Sequence, residues 1–443
     1  MERLFELERN GLAVITDDGR EVSYAELKAR TEALAARMRA RSLIFCLCSN
    51  TLDSLVAYVA CLNHGIVPLM LDARIDAALL QRFVDIYDPD YIWRSSAGGK
   101  YELEARESRR RAGIHPDLAL LLTTSGSTGS PKLVRQSYAN IRANTASIVE
   151  YLKLDATERP ITTLPMNYTY GLSIINTHLA VGATILLTDK TLMQREFWNF
   201  FTAQQATSFG GVPYTYEMLD KLMFFRRKLP SLRTMTQAGG KILPELHRKF
   251  AEYAQHEGKN FVVMYGQCEA TARMSYLPPG RALDKVGSMG IAIPGGRFEL
   301  VDGELVYYGD NVTLGYAERA EDLAKGDERH GRLETGDMAR VDEEGFYYIV
   351  GRKKRFLKIF GNRVNLDETE RLIKGQFRDL DCACGGIDDQ MRIFITDQTQ
   401  VEAVRDFVAE KTHLNFTAFD VQFLAAIPKN ASGKTLYSEL PVS

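Results

Sequence analysis

At 443 residues the chain is too long for one ordinary domain and suits a large domain followed by a small one. Apolar residues make up 45% and charged residues 25%, the balance of a globular protein in water. A net charge of −2 excludes a bulk electrostatic attraction to nucleic acid or to an anionic membrane. The longest apolar region, Leu55 to Leu71, carries Asn63 and His64 in its middle, so it reads as a buried helix and strand rather than a membrane span. Met1 to Glu6 lacks the basic-then-apolar order of a secretory signal. The six cysteines, at 46, 48, 61, 268, 382 and 384, form no C-x-x-C, and the seven histidines form no H-x-x-x-H. Core thiols in a reducing, cytoplasmic compartment are expected, and a zinc site is not.

Residues 1–117 alternate helical and strand patterns. Ser23 with Glu26 three positions on has the spacing of a helix-starting capping box. Ser42–Cys48 reads as a strand buried on both faces, and Val67–Asp72 as the next parallel strand. Strand, helix, strand in this order predicts an α/β sheet covered by helices. Leu118–Leu122 is a further apolar strand, and it breaks into Thr123-Thr124-Ser125-Gly126-Ser127-Thr128-Gly129-Ser130-Pro131-Lys132. Ser137 then caps a helix running to Leu152. Glycines let the main chain approach an anion closely, and hydroxyls and N–H groups replace its water. The stretch therefore reads as a polyphosphate loop, against the bland alternative of a flexible linker. A Walker loop needs Gly-Lys-Ser/Thr, whereas Lys132 lies between Pro131 and Leu133. P-loop kinases and GTPases are disfavoured, and a magnesium ligand must come from elsewhere.

The loop resembles instead the signature of the adenylate-forming superfamily, which contains acyl-CoA synthetases, luciferases and the adenylation domains of peptide synthetases. The resemblance implies that Thr124, Ser125, Gly126, Ser127, Thr128, Gly129 and Lys132 hold the phosphates of ATP. Further landmarks follow in the same order. After Ile161–Pro165, relatives carry an aromatic residue or histidine facing the acyl pocket, and here that place holds Tyr168. Asn167 and Tyr168 supply no carboxylate for a substrate ammonium, which disfavours an α-amino acid. An ordinary buried tyrosine is the competing reading of Tyr168. Gln237-Ala238-Gly239-Gly240-Lys241 follows a predicted strand, and the resemblance makes Gly239 and Gly240 one wall of the adenine site.

Tyr265-Gly266-Gln267-Cys268-Glu269 resembles the family's Tyr-Gly-x-Thr-Glu, whose tyrosine flanks adenine and whose glutamate carries magnesium. A hard divalent ion wants carboxylate oxygen, so Glu269 fits. Cys268 replaces the usual threonine with a weak donor and is a second residue assigned to the acyl-pocket side. The segments at 284–295, 303–306 and 315–316 read as β-structure and turns with mostly structural work. In Leu333–Asp337 and Gly345–Arg352 the resemblance gives Asp337 the ribose hydroxyls and Arg352 the ribose or phosphate.

From Gly351 the composition turns basic, with Arg352, Lys353, Lys354, Arg355, Lys358 and Arg363. The interleaved Phe356, Leu357, Ile359 and Phe360 predict strands rather than a disordered arm. In the family this is the hinge: Lys354 falls at the pivot, Gly361 where relatives line a pantetheine tunnel, and Lys358 where some use a lysine in the thiol step. Near the end, Ile427-Pro428-Lys429-Asn430-Ala431-Ser432-Gly433-Lys434 resembles the ending whose lysine is catalytic for adenylation. The expected fold is α/β, with a large N-terminal domain over 1–351 and a small mobile α/β domain over 352–443. The expected function is an AMP-forming acid–thiol ligase using ATP and Mg2+, with CoA or a carrier-protein phosphopantetheine as acceptor. Its partners would be a small carboxylic acid and, in one alternative, a carrier protein, with no nucleic acid and no membrane span. The acid pocket would be walled by residues between about 165 and 275, as the resemblance implies. A non-catalytic nucleotide-binding protein of the same fold and an amino-acid-activating enzyme are the alternatives.

Overall fold

The computed structural model describes residues 3–441, apart from 97, 109, 111, 112, 124–131, 354, 378 and 430–434. The phosphate-loop residues Thr124 to Gly129, the pivot Lys354 and Lys434 therefore lie outside the described residues.

Two large sheets carry most of the N-terminal part of the chain, beside a three-stranded sheet of Glu21–Ser23, Leu12–Thr16 and Ile185–Leu187. In the larger, seven strands run in the order Gly315–Ala317, Leu133–Ser137, Leu118–Thr123, Val67–Asp72, Leu43–Cys48, Tyr91–Ser95, Tyr101–Ala105. The four central strands from Leu118–Thr123 to Tyr91–Ser95 are parallel and the outer ones antiparallel. Leu43–Cys48 is buried along its whole length because helices cover both faces. Its period of two sorts the side chains: Ile44, Cys46 and Cys48 enter one hydrophobic cluster, Leu43, Phe45 and Leu47 the other. The two cysteines share a face, and no disulfide joins any of the six.

The second sheet has parallel strands Ser208–Gly211, Thr234–Gln237 and Asn260–Tyr265, extended by Ser275–Tyr276 and Ile291–Ala292. Both capped helices form as the sequence indicates. Ser23 accepts from the Glu26 N–H at 3.1 Å ahead of Tyr24–Ala35. Ser137 closes a full capping box with Asn140 ahead of Tyr138–Leu152. Leu55–Leu71 divides into helix Leu52–Asn63 and strand Val67–Asp72, and no described helix is long and apolar enough to cross a membrane.

One local expectation needs correction. The polyphosphate segment does not pass straight from strand to helix, because Leu133–Ser137 forms a strand antiparallel to Leu118–Thr123. All five of its residues are buried, including Arg135 and Gln136, which disguise an otherwise apolar segment. The hydroxyl-rich stretch thus connects two adjacent strands of the central sheet.

An antiparallel sheet of Arg297–Val301, Glu304–Tyr308, Arg332–Val341 and Tyr347–Arg352 follows. The basic run then forms a hairpin, Phe356–Ile359 with Asn362–Asn365, turning through Phe360 and Gly361. Beyond it, Cys382–Ile387, Gln390–Ile395 and Phe419–Phe423 make a three-stranded sheet against helices Leu366–Gln376 and Val401–Thr412. Its hydrophobic cluster draws only on residues from Leu357 onward.

Candidate functional site

Parallel α/β sheets present their ligand sites at the carboxyl ends of the strands. Here Thr123, Gly211, Gln237 and Tyr265 end parallel strands, and the landmark residues follow directly after each. Two polar constellations gather there.

The first is built on Asp337. Its strand pairs antiparallel with Tyr347–Arg352 so that Asp337 lies opposite Arg352, and the Arg352 Nε stands 3.4 Å from Oδ1. Tyr265 donates its hydroxyl to Oδ2 at 2.5 Å, and the Gln267 amide donates to the same oxygen at 2.9 Å. Gln267 also donates to the Thr335 carbonyl at 2.9 Å. Burial pushes the Asp337 carboxyl above its ordinary value, against the pull of Arg352, Tyr265 and Gln267. Burial likewise raises the Tyr265 phenol well above its ordinary value, so it remains a donor. Between them Gly266 is irreplaceable, because a Cβ there would collide with the Ala272 carbonyl. The family motifs bring Tyr265, Asp337 and Arg352 together but say nothing of Gln267. The signal for it is spacing: positions i and i+2 of an extended segment share a side.

The second constellation surrounds Glu269. Tyr316 donates its hydroxyl to Glu269 Oε1 at 2.8 Å. Lys132 Nζ lies over the Tyr316 ring, 3.6 Å from its centroid, and the Arg329 guanidinium is 4.7 Å from the same ring. Lys132 also stands 3.5 Å from Glu318. Gly315–Tyr316, expected to be structural, therefore belongs to the site. Only strand register puts it there: Gly315–Ala317 pairs with Leu133–Ser137, setting Tyr316 opposite Val134 just after the phosphate segment. Arg135, fully buried, locks the pairing through Glu328 and the carbonyls of Leu314 and Tyr316, at 3.1 and 3.0 Å.

The backbone near Glu269, whose carbonyl accepts from the Thr313 N–H at 3.0 Å, is braced from the helix that follows the hydroxyl-rich stretch. Asn140, Asn144 and Ser147, at i, i+4 and i+7, donate to the carbonyls of Val312, Arg273 and Pro294 at 2.8, 2.8 and 2.7 Å. Thr271 adopts φ +65°, a strained conformation for a β-branched residue, and Thr169, Gln136 and Asn311 hold it there. No cluster of three or more His, Cys, Asp or Glu that could hold a metal occurs among the described residues. The donor at this place is a single carboxylate with neighbouring cations. That fits magnesium carried on phosphate oxygens and water, the ion's usual manner of binding.

Tyr168 stands at the start of helix Thr169–Val181, its hydroxyl against Gly239, where a Cβ would collide with it. Gly240 sits against Pro213. Tyr168 and Cys268 are electrostatic neighbours, and burial raises the Tyr168 phenol. Lys358 and Gly361 are exposed positions of the C-terminal hairpin, and Asp388 accepts from the Lys358 N–H at 2.8 Å. Lys429 and Thr435 pair as an antiparallel bridge flanking the segment that contains Lys434, and Lys429 Nζ is 5.8 Å from the Tyr214 ring centroid.

Comparison with known proteins identifies the family. A model described as AMP-binding enzyme matches residues 6–317. The peroxisomal OPC-8:0-CoA ligase 1 of Arabidopsis thaliana is 29% identical over 350 residues, 73% of this chain, and the chain spans 64% of that relative's length. The 2-succinylbenzoate–CoA ligase of Listeria innocua is 23% identical over 461 residues, covering 97% of this chain and 96% of that protein. The solved o-succinylbenzoate CoA synthetase of Bacillus subtilis, in complex with ATP and magnesium ion, shares the fold with a TM-score of 0.80 at 21% identity, covering 98% of this chain and 97% of that one. With a family match over more than half its residues, this chain belongs to the AMP-binding enzymes, the adenylate-forming superfamily.

Proposed function

We propose that the protein is an AMP-forming acid–thiol ligase, which adenylates a carboxylic acid with ATP and passes the acyl group to CoA or a carrier-protein phosphopantetheine. The observation that carries this reading is that one turn, following strand Asn260–Tyr265, supplies both the donors around buried Asp337 and the Glu269 carboxylate bonded to Tyr316, whose ring carries Lys132 and Arg329. Asp337 Oδ2 is tied to Tyr265 and Gln267, Oδ1 is paired with the exposed Arg352, and the ribose hydroxyls would bind at this carboxylate with Arg352 on the sugar or phosphate side. Gly239, Gly240, Tyr265 and Gly266 form the adenine slot. Thr124 to Gly129 and Lys132 take the phosphates, and Glu269 would hold magnesium, which draws charge from them when bound.

The reaction brings two anions together, so its barrier is largely electrostatic and positioned cations dominate it. The substrate carboxylate attacks the α-phosphorus, a new C–O–P linkage forms, and pyrophosphate leaves with the electrons of the broken bond. Lys434 is the cation assigned to both the carboxylate and the α-phosphate oxygens. Tyr168 and Cys268 border the acid. Residues 352–443 act as the small mobile unit, turning about Lys354 to present Lys358 and Gly361 to the incoming thiol.

Trapping acyl-adenylate with hydroxylamine across a carboxylic-acid panel tests the reading, with AMP and pyrophosphate measured together. Equimolar AMP and pyrophosphate with an acid-dependent hydroxamate is expected. Nucleotide binding without hydroxamate for any acid would overturn it in favour of a non-catalytic nucleotide-binding protein. Supplying CoA and a phosphopantetheinylated carrier separately then identifies the acceptor.

A further inference from the structure

Three lysine and arginine residues are buried among the described residues: Arg135, Arg273 and Lys285. Arg135 pairs with Glu328, and Lys285 with Asp342 and Glu344. Arg273, only 3% exposed, pairs with none of the described carboxylates. Its Nε donates to Ser173 Oγ at 3.2 Å, its Nη1 to Tyr151 Oη at 3.3 Å and to Met264 Sδ at 3.5 Å, and its guanidinium lies 5.1 Å from the Tyr170 ring centroid. Every one of these partners is neutral. Burial pushes the Tyr170 phenol up to about 12 and raises the Tyr151 phenol too, so neither supplies a phenolate. His178 on the same helix is held near 4 by burial and carries no negative charge in any state.

A buried charge without a counter-ion is costly and persists where something outside the fold completes it. Arg273 is also fixed in place, since Asn144 and Asn311 both donate to its carbonyl, at 2.8 and 3.2 Å. Its position ties it to the acid side of the site. Tyr170, beneath the guanidinium, meets Tyr168 edge-on at 6.2 Å and 74°, and Tyr168 abuts Gly239. Val212, Ala238 and Met264 join the same cluster. One wall thus runs from the adenine slot to Arg273.

We propose that Arg273 is the counter-ion for a second anionic group on the substrate, so that the acid activated here is a dicarboxylic acid. One carboxylate meets ATP and the other, unreacted, pairs with the guanidinium. This inference rests on the ligase reading above and names the substrate class of that site. A planar fork of donors suits a carboxylate better than it suits a lone hydroxyl.

ATP–pyrophosphate exchange with the full-length protein tests it, using aliphatic and aromatic diacids beside monoacids of matched chain length. Diacids are expected to exceed their monoacid partners in kcat/KM by about 30-fold or more, the effect of losing one member of a buried charged pair. Arg273→Met should collapse that ratio toward unity, mainly through the diacid KM, and Arg273→Lys should restore part of it. Monoacids served as well as diacids by the wild-type protein would overturn the proposal, a comparison that needs no variant to fold. A preference undiminished in Arg273→Met would overturn it as well. Exchange with neither class removes the ligase reading and this inference with it, a result distinct from exchange with monoacids alone.

Discussion

Replacing Asp337 with asparagine separates what the carboxylate does for a nucleotide from what it does for the fold. The residue is 4% exposed, and burial outweighs its donors enough to raise its pKa. A carboxyl group raised on folding holds its proton more tightly in the native state. Its contribution to stability is therefore full below the ordinary value of 3.8 and is lost as pH rises through the raised one. At neutral pH the ionised group is a burden to the empty fold. The Arg352 partner offsets little of it, because its side chain is 63% exposed and screened by solvent. Asparagine retains an acceptor for Tyr265 and Gln267, so Asp337→Asn should leave the melting temperature unchanged or slightly raised. ATP should suffer, since a hydrogen bond to a charged group contributes about 1.5–3 kcal/mol, or about 10- to 150-fold in KM for ATP. Pyrophosphate exchange at varied ATP, with thermal melts on the same preparations, measures both. The wild-type KM for ATP should also climb as pH falls through the raised pKa of Asp337, and the variant should lose that dependence. A KM for ATP within about twofold of wild type, together with a lowered melting temperature, would refute the assignment and make Asp337 structural.

Lys434→Ala should slow adenylation by on the order of 10²–10³-fold with little change in ATP binding, and full-rate pyrophosphate exchange would remove it from the mechanism. Tyr316→Phe deletes the 2.8 Å bond to Glu269 but leaves the ring that carries Lys132 and Arg329. The magnesium concentration for half-maximal exchange should rise about tenfold, the usual effect of losing a partner that orients a metal ligand. Gly351→Ala would drive a Cβ into the Asn365 amide, which donates to the Val350 carbonyl at 2.5 Å and whose oxygen caps helix Leu366–Gln376. Loss of that cap should cost about 1 kcal/mol and appear as faster amide exchange in the first turn of that helix, with the N-terminal sheets unaffected.

Residues whose chemistry is settled by local covalent order are legible in the amino-acid sequence itself. A Tyr-Gly-x-x-Glu turn and an Asp after a turn can be picked out within ten residues, because near neighbours set the backbone geometry there. The alternation that divides Cys46 and Cys48 from Phe45 and Leu47, and the cap at Ser137, follow from the same short-range periodicities. Tertiary structure alone decided the partners. Tyr316 reaches Glu269, 47 positions away, only through the register of a strand whose polar Arg135 and Gln136 conceal its burial. The neutrality around Arg273 exists only where helices Tyr138–Leu152 and Thr169–Val181 close over strand Asn260–Tyr265. Electrostatic environment depends on every group within a few ångströms, and chain order does not specify which groups those are.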